Sequence, residues 1–110
     1  MRNTLDIDVW IASGTDNQRS VVRAVREFGF AHAEDSILNE PDAMLRMGVP
    51  PLRIEVVKRI SGVDFESCWE RRVWVEDGDL RIPMISLPDL KANKRAAGRT
   101  KDLLDLDSLP

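Results

Sequence analysis

The stretch from Arg2 to Ala12, RNTLDIDVWIA, decides how the chain is read, because a run rich in β-branched and aromatic residues carries acids at two of its positions. Read as a strand over Leu5 to Ala12, it sends Leu5, Ile7, Val9 and Ile11 to one face and Asp6, Asp8 and Trp10 to the other. The two aspartates therefore share a face. Residues two apart on a strand have Cα atoms about 6.6 to 6.8 Å apart, so their carboxylates can converge on a hard cation between them. Acids at the start of a strand also often face water and nothing more, and D-x-D alone occurs by chance in many proteins.

Working outward, Thr15-Asp16-Asn17-Gln18 has the form of a capping box, and Val21, Val22, Val25 and Phe28 then recur at helical spacing opposite Arg19, Arg23 and Arg26. Gly29 stops that helix. Between Phe30 and Asp42 the sequence supports one short helical turn near Glu34 to Leu38. Ala43 to Met47 reads as a strand, and after the turn Gly48-Val49-Pro50-Pro51 the run Leu52 to Val57 alternates as a second. Asp64 caps a short helix holding Phe65, Cys68 and Trp69, and Arg72 to Glu76 and Asp79 to Ile82 flank Asp77-Gly78, a two-residue hairpin signal. Ser86, with Asp89 three residues on, opens a helix to about Ala97; Gly98 breaks it, and Thr100 caps a last helix with Leu103, Leu104 and Leu106 on its buried side. The hairpin argues against a purely parallel sheet, so the expected fold is α+β (α/β), a small mixed β-sheet covered by helices.

Composition bounds the function. At 110 residues, 43% hydrophobic and 32% charged, the chain is expected to be a single globular domain, residues 1–110, around one core. No apolar run approaches the roughly 20 residues that span a bilayer, and the N-terminus lacks a signal-peptide pattern, so a cytoplasmic protein with no membrane partner is expected. The single cysteine, Cys68, forms no internal disulfide, and with one histidine, His32, the usual zinc sets cannot be assembled. Both are read as structural, and Trp10, Trp69 and Trp74 as core rather than base-stacking platforms. The net charge of −3 gives no global attraction for nucleic acid. Lys91, Lys94, Arg95, Arg99 and Lys101 nonetheless follow one another with no acid between, which makes either a local anion site or a solvated helical face.

A third acid completes the carboxylate argument. Glu55 alternates against Ile54 and Val56 in an apolar strand, where burial without a partner would be costly. Its partner is either a metal shared with Asp6 and Asp8 or a nearby cation among Arg53, Lys58 and Arg59. Three clustered carboxylates favour Mg²⁺ or Mn²⁺, and a pair of such ions suits phosphoryl or nucleotidyl transfer.

Taken together, R-x-T-x-D-I-D-V-W from Arg2, G-V-P-P-x-R-I-E-V-V from Gly48, G-V-D-F-E from Gly62 and L-P-D-L-K-A-N-K-R-A-A-G-R-T-K-D-L-L-D-L from Leu87 resemble the bacterial nucleotidyltransferase-fold proteins. The branch includes the minimal nucleotidyltransferases and the nucleotidyltransferase toxins of abortive-infection systems, and the resemblance runs through essentially the whole chain. It implies a nucleotidyltransferase-like fold in which Asp6, Asp8 and Glu55 are catalytic metal ligands, with Mg²⁺ or Mn²⁺ as cofactor. It further implies that Lys94 and Asp102 are catalytic, that Arg53, Arg99 and Lys101 bind substrate, and that a nucleoside monophosphate passes from a nucleoside triphosphate to a hydroxyl of RNA or protein.

The pattern also departs from that family. Its members carry a Gly-Ser or Gly-Gly turn upstream of the D-x-D strand that holds the triphosphate, whereas Met1 stands five residues before Asp6, and Ser13-Gly14 comes too late to serve. The domain is therefore expected to be truncated at its N-terminus. Two functions stay open: a metal-dependent nucleotidyltransferase, or a catalytically inactive module of the same fold, antitoxin-like, that docks a partner or a second copy along the sheet edge left exposed.

Overall fold

The computed structural model describes residues 5–49 and 51–110. Its content is mixed α+β: four α-helices, one 3-10 turn and five strands in two sheets among the described residues. The described residues up to Arg59 form one compact unit and Ile60–Pro110 a second.

In the first unit, β1 (Leu5–Trp10) lies parallel to β3 (Leu52–Val57), and β2 (Met44–Met47) lies antiparallel on the other side of β3, giving the order β1-β3-β2. α1 (Thr15–Phe28) supplies the crossover that a parallel pair needs. Its valine stripe buries Val22 and Val25 with Ile11, Leu38, Met47 and Val56 in the core. Phe28, expected on the same stripe, is 63% exposed. The helix starts one residue earlier than a Thr15 cap requires, with Gly14 as N-cap and no side-chain cap. It ends as expected: Gly29 takes φ 133, a value that L side chains rarely adopt, and Phe30 N–H closes on the Val25 carbonyl at 3.2 Å.

Two cations fasten the 3-10 turn Asp35–Leu38 and its flanks to this unit. Arg26 donates from Nε to the Ala33 carbonyl at 2.8 Å and from Nη2 to Asp35 at 2.8 Å. Lys58, almost completely buried, donates through Nζ to the Leu38 carbonyl at 2.8 Å and the Glu40 carbonyl at 3.1 Å. A buried ammonium is tolerated there because its hydrogens meet carbonyl oxygens in place of water.

The second unit holds α2 (Phe65–Glu70), the hairpin β4 (Val73–Asp77) and β5 (Leu80–Met84), α3 (Leu87–Ala97) and α4 (Thr100–Ser108). The hairpin forms its own two-stranded sheet instead of joining the first one, so the expected single sheet is two. Its turn falls at Gly78-Asp79, one residue beyond Asp77-Gly78, because Asp77 pairs with Leu80. Asp64 caps α2 by accepting from Ser67 N–H at 3.0 Å, and Ser86 caps α3 by accepting from Asp89 N–H at 3.2 Å. Gly62 packs under α3 at φ +79; a Cβ there would stand 2.4 Å from that of Ala96.

Burial in this unit departs from the leucine pattern. Leu103 and Leu104 are exposed, Leu104 by 62%, while Asp102 is 1% exposed. Trp69 and Trp74 are likewise exposed at their edges rather than sunk in a core: Trp69 stacks on Phe65, and Arg72 lies over the Trp69 ring at 4.1 Å and the Trp74 ring at 4.9 Å.

Candidate functional site

The parallel register of β1 and β3 sets Asp6 beside Arg53 and Asp8 beside Glu55, while the antiparallel register of β2 sets Arg46 on the other side of Glu55. Alternation then gathers Asp6, Asp8, Arg53, Glu55 and Arg46 on the sheet face opposite Ile54, Val56 and Met47. Neighbouring strands stand about 4.8 Å apart, so side chains paired across them meet. The three acids read from the sequence are thus brought onto one face by two adjoining strands.

They do not meet one another first. Glu55 Oε1 accepts from Arg46 Nε at 2.9 Å. Arg53 Nε lies 3.5 Å from Asp6 Oδ1 and 3.7 Å from Glu55 Oε1, within ion-pair range of both acids. It is buried and hydrogen-bonded to neither. Asp8 is exposed and enters no ion pair among the described residues. No group of three acids, histidines or cysteines is gathered tightly enough to hold a metal ion among the described residues. The donors fit a hard divalent ion in kind, being carboxylate oxygens on one face with Asp8 directly beside Glu55. Guanidinium groups hold two of the three.

Arg46 was the residue that sequence reasoning missed. Its signal was present: in Met44-Leu45-Arg46-Met47 the alternation already puts Arg46 opposite Leu45 and Met47, but only the pairing with β3 sets it against Glu55.

Lys94, Arg99, Asp102 and Asp105 come together where α3 turns into α4. Arg99, the N-cap residue of α4, gives Asp102 its backbone N–H at 3.2 Å, its Nε at 2.6 Å and its Nη2 at 3.2 Å. Lys94 Nζ lies 3.5 Å from Asp102 and 3.1 Å from Asp105. Asp102 is the third residue of α4, so it caps the helix from inside, and the Arg99 hydrogen bond holds its carboxyl below the usual carboxylate range. Its lone pairs are committed to that corner. Lys101, by contrast, is exposed and enters no ion pair among the described residues.

A second acid-centred lock, which the sequence did not reveal as such, joins α2 to α3. Arg71 grips Asp89 with both Nε, at 2.9 Å, and Nη2, at 2.8 Å, and Ser86 Oγ donates to the same carboxylate at 2.9 Å. The Arg71 hydrogen bonds lower the Asp89 pKa. Cys68 is buried beside this pair; burial first, and the Asp89 charge second, push its thiol above the ordinary 9.0. A thiol so raised is a poor nucleophile, in keeping with a structural role.

Comparison with protein-family models, with curated proteins and with solved structures gave no match.

Proposed function

We propose that the face carrying Asp6, Asp8 and Glu55 is the divalent-cation site of a nucleotidyltransferase-like protein, acting on a nucleoside triphosphate and a hydroxyl of RNA or protein. One observation carries the reading: the in-register parallel pairing that lays Asp8 directly beside Glu55, one alternation step from Asp6. Acids placed so on two strands share a face without help from any loop. A bound Mg²⁺ or Mn²⁺ would supply positive charge for triphosphate oxygens. Asp6, Asp8 and Glu55 would hold it by carboxylate oxygens, and the reaction would move a nucleoside monophosphate to the acceptor oxygen with loss of pyrophosphate. Asp102 and Lys94 are assigned to the second unit itself: Asp102 fixes the Arg99 guanidinium at the α3–α4 corner, and Lys94 offsets the buried carboxylate charge.

A second reading is favoured by the edge of the first sheet. Among the described residues β1 pairs with β3 alone, and Ile7 and Val9, on its apolar face, are 50% and 41% exposed. A strand with one free edge and an uncovered apolar face suits docking by strand addition.

Incubation with each α-labelled nucleoside triphosphate, Mg²⁺ and bulk RNA or protein tests the first reading. Label is expected on one acceptor with the wild-type chain and at least about a hundredfold less with Asp6→Asn/Asp8→Asn, the usual scale for losing charge stabilisation at a reacting centre. Absence of label from every triphosphate, together with a concentration-dependent dimer in light scattering, would replace the first reading with the second.

A further inference from the structure

The hairpin of β4 and β5 is exposed at every residue of both strands, yet its two outer edges are not alike. Its turn, Gly78-Asp79 with Gly78 at φ 60, closes on Asp77 and Leu80, the pair that the turn hydrogen bond joins. Bonded and non-bonded pairs alternate from there, so Val75–Ile82 and Val73–Met84 bond across the hairpin while Glu76–Arg81 and Trp74–Pro83 do not. The backbone groups of those last four residues point outward. On β5 one of the two outward positions is Pro83, which has no N–H to give, so that edge is guarded against a further strand. On β4 Trp74 and Glu76 each present N–H and C=O, and no strand pairs with them there among the described residues. The open edge also carries its charges in order. Arg72 stands at its start, its guanidinium over the Trp69 and Trp74 rings at 4.1 and 4.9 Å and its Nε buried without a hydrogen-bond partner. Glu76 and Asp77 stand at its end. None of the three charged residues enters an ion pair among the described residues.

We propose that the free edge of β4 is a self-association site, at which β4 of a second copy pairs antiparallel about a two-fold axis through Val75 to give a four-stranded sheet. The charge order selects this occupant. An antiparallel copy lays the acidic end of its β4 against the basic end of the first, whereas a parallel copy would set like against like. With Val75 opposite its own counterpart, Glu76 of the second copy falls directly across from Trp74, the ring that Arg72 covers. The two-fold axis repeats that contact on the other side. The same register joins Trp74 to Glu76 of the second copy through the backbone groups that the hairpin leaves unused. It also places the two apolar faces side by side, each made of Val73, Val75, Leu80, Ile82 and Met84, all exposed in the single chain. A two-stranded hairpin exposed on both faces is only marginally stable in water, and doubling the strands relieves this. The inference is independent of the carboxylate face of the first unit.

Sedimentation velocity of the full chain over a concentration series tests this, with circular dichroism to establish that each variant is folded. The wild type is expected to pass from monomer to dimer as concentration rises. Glu76→Lys sets like charges against each other at both contacts and should weaken the dimer about tenfold or more, the scale of two cross-strand charge pairs turned from attraction to repulsion. Arg72→Glu should weaken it likewise, and an equimolar mixture of the two variants should recover the dimer, because each then meets its opposite charge. Glu76→Pro removes an outward N–H and no hydrogen bond of the hairpin itself, so it should abolish the dimer whether or not Arg72→Glu folds. A wild type that stays monomeric at every concentration would overturn the proposal. So would a dimer of equal affinity in wild type, Glu76→Lys and Glu76→Pro, which would move the contact to another surface.

Discussion

At the scale of single residues, burial and partners decide what each reactive group can do. Cys68 shows this most simply. A thiol reacts as its thiolate, and here burial and the neighbouring Asp89 carboxylate both favour the protonated form. The native chain should therefore react with a disulfide reagent at pH 8 at least about a hundredfold more slowly than free cysteine, and should show its one thiol stoichiometrically in denaturant. Colorimetric thiol titration with and without guanidinium measures the ratio; fast reaction of the folded chain would show that Cys68 is accessible. The same principle separates the acids. Asp102 has the Arg99 backbone N–H, the Arg99 guanidinium and Lys94 around it, whereas Asp8 is exposed and, among the described residues, unpaired. A carboxylate already satisfied has little left to offer a ligand, and this ranks Asp8 above Asp102 as a group free for chemistry.

At the scale of elements, the sequence was legible wherever local chemistry fixes local structure. The valine stripe and Gly29 defined α1, the alternation of Leu52 to Val57 defined β3, and Ser86 with Asp89 defined the start of α3. It was illegible where the outcome depends on what an element packs against. The spacing of Leu103 and Leu104 marks an amphipathic helix but cannot say that Asp102 faces inward, because that follows from Arg99 and Lys94 reaching it across the α3–α4 corner. In the same way the D-x-D strand and Glu55 could be matched in advance, but the guanidinium partners depended on the register of three strands. Gly62 is a position where element packing makes a sharp prediction. At φ +79 any side chain is strained by about 1 to 2 kcal/mol, and a Cβ 2.4 Å from Ala96 Cβ and 3.3 Å from the Ala92 carbonyl oxygen adds overpacking of about 1 to 3 kcal/mol. Gly62→Ala should cost about 2 to 5 kcal/mol in urea unfolding. Adding Ala96→Gly should recover the clash but not the strain, so the double variant is expected to cost less than the sum of the singles. Strict additivity would show that α3 moves aside freely.

At the scale of the whole molecule, the two units are stabilised by different physics. The first buries six apolar side chains in one cluster, the kind of core whose strength depends little on pH. In Ile60–Pro110 the only fully buried apolar residue is Cys68, and the other buried residues are Ser86, Asp89 and Asp102. All three carboxyls held below their ordinary value of 3.8, Asp64, Asp89 and Asp102, belong to this second unit. A carboxyl whose folded pKa is depressed contributes stability that is complete above its unfolded value and is lost as pH falls through the folded one. Acid should thus unlock the α2 cap, the Arg71–Asp89 fork and the Arg99–Asp102 corner together as the pH drops from about 4 downward. Trp69 and Trp74 lie in the second unit and Trp10 in the first, so a Trp10→Phe chain reports on the second unit alone by tryptophan fluorescence. Its urea midpoint is expected to fall steeply between pH 5 and pH 2.5, pH values chosen to bracket the carboxylate range. Introducing Asp89→Asn should lower the midpoint at neutral pH and flatten the fall, because the isosteric amide cannot be protonated in that range and loses the charge that Arg71 holds. If both chains lose stability with the same slope, the locks are not what titrates, and the second unit owes its acid response to groups other than Asp89.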